Sequence, residues 1–409
     1  MAGEKTKEAD VESNKSDIFQ DQNVKNFVLY KTFIEPLFWG AVLISYCQVI
    51  AGMDLPQVFL MESVACGLVA SLDVVAGALA DVIGRRKTVV LGSFLRGFDV
   101  LIFAIATCPW MAWAADFVWA VGFSLMSGAD SALLYDYLKE IGREDEYLKI
   151  QGKGESQRLI LTAFGSILAG ILADINMRLT AMVSIPGVFF ACYAISRFKE
   201  SRPSQKFSVK SQIDVIKGGL SHVWRSSKIC WLIIFFALLS VVSKIWFFSY
   251  NPYFELAHLS YTEFGVIFFL LNIVAWFSSS HVADIKKFFG RFGTLALMLN
   301  AIAIPITIMG FFVCRASSYL VMFQNISRGM LNPVIGEMVN EEASSEIRAT
   351  VLSAKSSFSN IINLVLFPMF GYATAAFGLA VCLQFVGICT FVFGLLALCV
   401  YKQVFSHKS

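Results

Sequence analysis

The feature that most constrains this chain is the stretch Gly77-Ala78-Leu79-Ala80-Asp81-Val82-Ile83-Gly84-Arg85-Arg86-Lys87, with a long apolar run on either side. One run enters from Pro56 and another leaves at Thr88. An acid, a helix-stopping Gly and three consecutive cations between two such runs describe a membrane hairpin. Three cations in so short a turn mark its cytoplasmic side. Gly84 permits the sharp reversal that a residue with a Cβ resists. Asp81 stands four residues before Arg85, the favourable order for an acid–base pair on a helix face.

Of the 409 residues 57% are hydrophobic and only 15% charged, against about 25% charged in soluble domains. A membrane span needs about 20 apolar residues. Breaks at charge, Gly, Pro and Asn give twelve spans, near 27–50, 56–81, 88–107, 110–137, 156–175, 179–197, 228–251, 261–283, 291–313, 317–340, 349–374 and 377–401. Residues 1–26 are polar, mix both charges and read as a disordered tail. Residues 198–227 form the longest polar segment and read as a linker between an N-terminal bundle (27–197) and a C-terminal bundle (228–401), with 402–409 as a second tail. Ile213, Val215, Ile216 and Leu220 in that linker have the spacing of a short amphipathic helix. Lys and Arg crowd the even-numbered loops, whereas Arg178 and Arg315 are nearly alone on the other side, which places both termini in the cytoplasm. A net charge of +3 gives no reason to expect nucleic acid. The nine cysteines are scattered, without CxxC or neighbouring His, so neither a disulfide framework nor a metal site is expected.

Gly77-x-Leu79-Ala80-Asp81-x-x-Gly84-Arg85-Arg86-Lys87 resembles the signature between the second and third helices of the major facilitator superfamily. The resemblance implies an all-α integral membrane protein of twelve helices in two pseudo-symmetric six-helix bundles, a transporter working by alternating access. It also implies a bacterial inner membrane, a monomer and no cofactor. Ala80-Asp81 and Gly84-Arg85 recur as Ala283-Asp284 and Gly290-Arg291, and Gly128, Leu133 and Asp136 as Gly329, Val334 and Glu337. Two related bundles with a site at their interface would produce that echo. The end of span four, Ser127 to Asp136, resembles tetracycline-efflux-like members. The Arg often carried in span four is absent, however, and Gly165 to Gly170 lacks the Pro of the antiporter signature.

Ionisable residues inside a span cost several kcal/mol and call for a partner, water or a function. Glu35, Glu62, Asp73, Arg96, Asp99, Asp116, Asp130, Lys244 and Arg328 are such residues. Asp73 and Arg96 fall at equal depth in spans two and three, about 12 Å from their helix ends, and are expected to pair, with Asp99 sharing the Arg. Such a pair is either glue or mechanism. Glu35 lacks an obvious cation and is the candidate for proton exchange, with Asp116 beside it. Arg328, with Gln324 and Asn332 four residues to either side, presents one face of span ten. Its planar fork suits a carboxylate or phosphate, and a bridge to Glu35 or Asp116 is the structural alternative. Trp39 and Tyr46 are pocket or interface aromatics. Glu62 and Lys244 lie in the outer half, where they pair if that side closes. Asp81, Arg85 and Asp136 are expected to cluster when the cytoplasmic side closes and to separate when it opens.

No P-loop occurs, and the four histidines sit in loops or at span ends, so an ATP-driven pump or an intramembrane enzyme is not expected. The expected function is proton-coupled movement of a small solute, an anion-bearing one by the presence of Arg328. Proton-antiport efflux of hydrophobic or cationic compounds and a non-transporting receptor are the alternatives.

Overall fold

In the computed structural model the described residues are 17–200, 226–343 and 348–406. The regular structure among them is helical, and ten helices are long and apolar enough to cross a membrane. Two further crossings fall outside that measure. Span one is interrupted: a helix over Gln22–Phe33 and another over Leu43–Val49 flank a non-helical stretch. Span ten, Val321–Glu342, carries Gln324, Asn325, Arg328 and Asn332. With these two the count is twelve. The linker's expected amphipathic helix falls within 201–225, outside the described residues. The end of the expected tail is structured: Ile18 is buried, and Asp21 caps span one by accepting from the backbone N–H of Asn23 and Val24.

Local chemistry sets the span boundaries. Span two, Leu55–Ile83, starts at an Asp54–Gln57 capping box with Pro56 in its first turn. It stops at Gly84, whose φ of 96° is open to Gly at little cost, and span three, Arg85–Ile105, starts at once. Gly290, at φ 68°, breaks Val282–Phe311 in the same way ahead of span nine. Span five begins earlier than hydropathy suggests, over Tyr147–Asn176, because its first turns are polar yet helical.

The two halves meet through span five against span eight (Tyr261–Ser280) and span two against span eleven (Arg348–Phe377). Their polar contacts gather away from the Gly84 loop, at what is termed the far end; the loop's own side is the basic end. Asp174 at the close of span five accepts from the backbone N–H of Tyr261 (3.1 Å) and Thr262 (2.9 Å) and from the Thr262 hydroxyl (2.6 Å). Asn251 of span seven (Ser227–Leu256) accepts from the Ile44 N–H at 3.0 Å and donates to the Ala41 carbonyl at 2.7 Å. At the basic end, ion pairs stay within one half: Arg85–Asp136 in the first, Lys286–Glu337 and Arg291–Glu341 in the second. Among the described residues the polar contacts thus form a seal between the halves at the far end, while the ion pairs of the basic end each stay within one half.

Glycine allows the far-end seal. A Cβ on Gly170 would stand 2.3 Å from the Tyr261 carbonyl oxygen, and one on Gly265 2.4 Å from that of Ser166. Both obstacles are backbone and cannot swing aside. Gly170→Ala is expected to hold spans five and eight apart, lowering the yield of a cysteine cross-link between their far ends at least severalfold.

Candidate functional site

The interruption of span one positions the site. Ile34 to Val42 contains Pro36, which cannot continue a helix's hydrogen bonding, and Gly40. Non-helical backbone at membrane depth is tolerated where protein or a cavity receives it. Here Asn251 donates to the Ala41 carbonyl and accepts from the N–H of Ile44 in the first turn of the following helix, and the Ser184 hydroxyl accepts from the Phe38 N–H (3.3 Å). Glu35, Pro36, Trp39 and Gly40 of this stretch line a cavity of about 380 Å³ between the halves.

Charge inside that cavity is mostly paired. Arg96, only 2% exposed, donates to Glu35 Oε2 at 2.9 Å and to Asp99 Oδ2 at 2.5 Å. Lys244 of span seven pairs with Glu62 of span two at 2.6 Å, joining the halves, and also donates to the Cys66 sulfur at 2.8 Å. Arg158 is paired with Glu155. Asp116 differs: it lines the cavity and has no hydrogen-bond or ion partner among the described residues. Trp39 is 4% exposed and its indole N–H is also without a partner. Phe103, Trp119, Phe247 and Phe248 supply apolar wall.

Several expectations need correction. Asp73 and Arg96 do not meet: Asp73 is exposed on span two, without an ion pair among the described residues, and Arg96 pairs with Glu35 of span one and with Asp99. Equal depth fixed the level but not the direction in which each helix turns its side chain. Glu35 consequently has a cation of its own, Arg96. Tyr46 does not line the cavity; it is fully buried and donates to the Phe103 carbonyl at 2.7 Å. Gln324 donates to the Ser243 carbonyl at 3.2 Å and Asn332 accepts from Lys355 at 3.2 Å, so both are turned to neighbouring helices. Arg328 is exposed and not itself among the cavity-lining residues; it lies over the ring of Phe247, which is, at 5.6 Å, and among the described residues it donates only to Asn325 Oδ1 at 3.5 Å. Asp130 is held by Lys31 at 2.5 Å.

At the basic end Arg85 pairs with Asp136, two of the three residues expected to cluster there. The Arg85 N–H donates to Glu200 at 2.7 Å, and Arg86 reaches the Phe198 carbonyl at 3.3 Å. Gly77 is exposed, and the Asp81 side chain lies outside the described residues.

Lys31, Arg158 and Lys355 are interior charges that the sequence reading passed over. Arg158 stands eleven residues past Tyr147, about 16 Å along the helix. Its signal was Glu155 three residues earlier, a pair on one helix face. Lys355 is 5% exposed, over the Phe236 ring at 4.1 Å.

Two helical bundles around a charged interior cavity define a polytopic membrane protein of the kind that handles a solute between its halves. Over 349 residues the chain is 21% identical to YxaM of Bacillus subtilis (strain 168), an uncharacterized MFS-type transporter, covering 80% of this chain and 83% of that protein. A shorter match of 102 residues, 29% identical, joins 25% of this chain to 22% of the multidrug resistance protein MdtH of Photorhabdus laumondii subsp. laumondii. Among solved structures, a point mutant of nucleoside transporter NupG superposes with a TM-score of 0.77 at 11% identity, covering 94% of this chain and 99% of that one. No family model matches the chain. The fold is that of the major facilitator transporters, all-α and in two bundles.

Proposed function

We propose that the chain is a secondary active transporter that moves a small solute by alternating access and couples the movement to protons. The observation that carries this reading is a cavity between the halves, closed toward the far end, holding in Asp116 a carboxylate without a partner. Such a group exchanges protons as its surroundings change. The Lys and Arg bias makes the basic end cytoplasmic. Arg328, a cation in a span without a carboxylate partner among the described residues, supports an anionic group on the solute. A second reading, efflux of cationic compounds, is favoured by the cavity's own balance: Glu35, Glu62, Asp99 and Asp116 against Arg96, Arg158 and Lys244. Similarity to MdtH points the same way.

The test is flux in proteoliposomes with and without a pH gradient. The wild-type protein is expected to accumulate its solute only with the gradient. Asp116→Asn is expected to retain exchange but to lose accumulation, by at least tenfold. Absence of flux for every solute that binds would leave the receptor reading in place.

A further inference from the structure

Among the described residues, charge without an oppositely charged partner occurs in both signs, one sign on each half. In the first half, the acids lining the cavity other than Asp116 each have a cation: Arg96 for Glu35 and Asp99, Lys244 for Glu62. In the second half, Arg328 reaches only Asn325, and Lys355 reaches only Asn332, among the described residues. Asp116 and Arg328 are not paired with each other, although Phe247 lines the cavity with Asp116 and lies under Arg328. The buried Trp39 indole N–H, in the same lining as Asp116, lacks an acceptor among the described residues.

A charge within a span that no protein group partners calls for water or a solute to compensate it; here Asp116 is half-buried and Arg328 exposed. A solute with one charge would compensate one site and leave the other. We propose that the solute is a zwitterion: a protonated amine set against Asp116 of the first half, an anionic group set against Arg328 of the second, and an acceptor oxygen within reach of Trp39. Lys355 adds positive charge on the same side as Arg328, through Asn332 one helical turn beyond it. This deepens the transport reading and rests on it. It satisfies the two observations that otherwise pull apart, a cation on span ten and an excess of acid in the cavity. It also gives the solute a mechanical part, since a molecule held at both ends ties the halves together.

The experiment uses the full chain purified in detergent. The probes are amino acids, dipeptides and ω-amino acids of increasing length, each beside its N-acetylated and its C-amidated form. Ligand-induced shifts of the melting transition and titration give affinities. At least one zwitterion is expected to bind, with both blocked forms weaker by about ten- to hundredfold, the range expected on losing a charge-assisted contact. Asp116→Asn is expected to remove the discrimination against the N-acetylated form only, and Arg328→Gln that against the C-amidated form only. The proposal is overturned if no zwitterion of the series binds, or if a blocked form binds as well as its parent. The ligand series on the wild-type protein decides this even if a variant fails to fold. Discriminating binding without flux would overturn the transport reading alone; flux of a singly charged solute without zwitterion binding would overturn this proposal alone.

Discussion

Arg96→Gln is expected to destabilise the protein by about 3–5 kcal/mol, the usual cost of removing one partner from a buried ion pair. Arg96 and Asp99 are 2% and 3% exposed at their side chains, whereas Glu35 is 39% exposed. The loss should therefore fall mainly on Asp99, which would be left as a buried charge without a cation, while water can reach Glu35. Adding Asp99→Asn to Arg96→Gln should recover a large share of the stability, and adding Glu35→Gln a small one. Melting of the three purified variants and the wild-type protein in one detergent measures these effects. Equal recovery from the two carboxylates would show that burial does not decide the cost.

Asp174→Ala is expected to release the far-end seal. Three hydrogen bonds from the other half end on this carboxylate. Span eight keeps its own capping box of Ser260 and Glu263, so its first turn survives the substitution. The loss then falls on the contact between the halves. For an exposed site it amounts to about 1–2 kcal/mol, a shift of about five- to thirtyfold in the balance between conformers. Cys47, buried in the cavity wall, reports that shift. A membrane-impermeant thiol reagent added at the far end should label it faster in Asp174→Ala than in the wild-type protein. Unchanged labelling would mean that the seal rests on span packing alone.

The twelve spans were legible because a bilayer imposes a length and a polarity that hydropathy reads directly. The hairpin at Gly84 was legible because its Gly, acid and cations each have one physical reason to be there. What hydropathy could not read was direction around a helix axis. Asp73 and Arg96 share a depth and face apart, while Gln324 and Asn332 share a face with Arg328 yet spend their polar atoms on neighbouring helices. The interruption of span one was hidden for another reason. Ile34 to Val42 is as apolar as a helix would be, and only Pro36 and Gly40 betray it. That interruption carries Glu35 to Arg96, so missing it left Glu35 without a cation on paper.

The Asn251 amide has a consequence for how span one behaves in time. A main-chain carbonyl of the unwound stretch and an N–H of the helix turn that follows it are satisfied by a side chain that belongs to the opposite bundle. Buried backbone groups do not go unpaired. Whenever the bundles separate at that end, Ala41 and Ile44 must find new partners, in entering water or in a rewound turn of their own helix. The length of helix in span one is thus tied to the distance between the bundles. A rigid-body description of the two halves would omit this change of secondary structure, which amide hydrogen exchange at Ala41 to Ile44 would register.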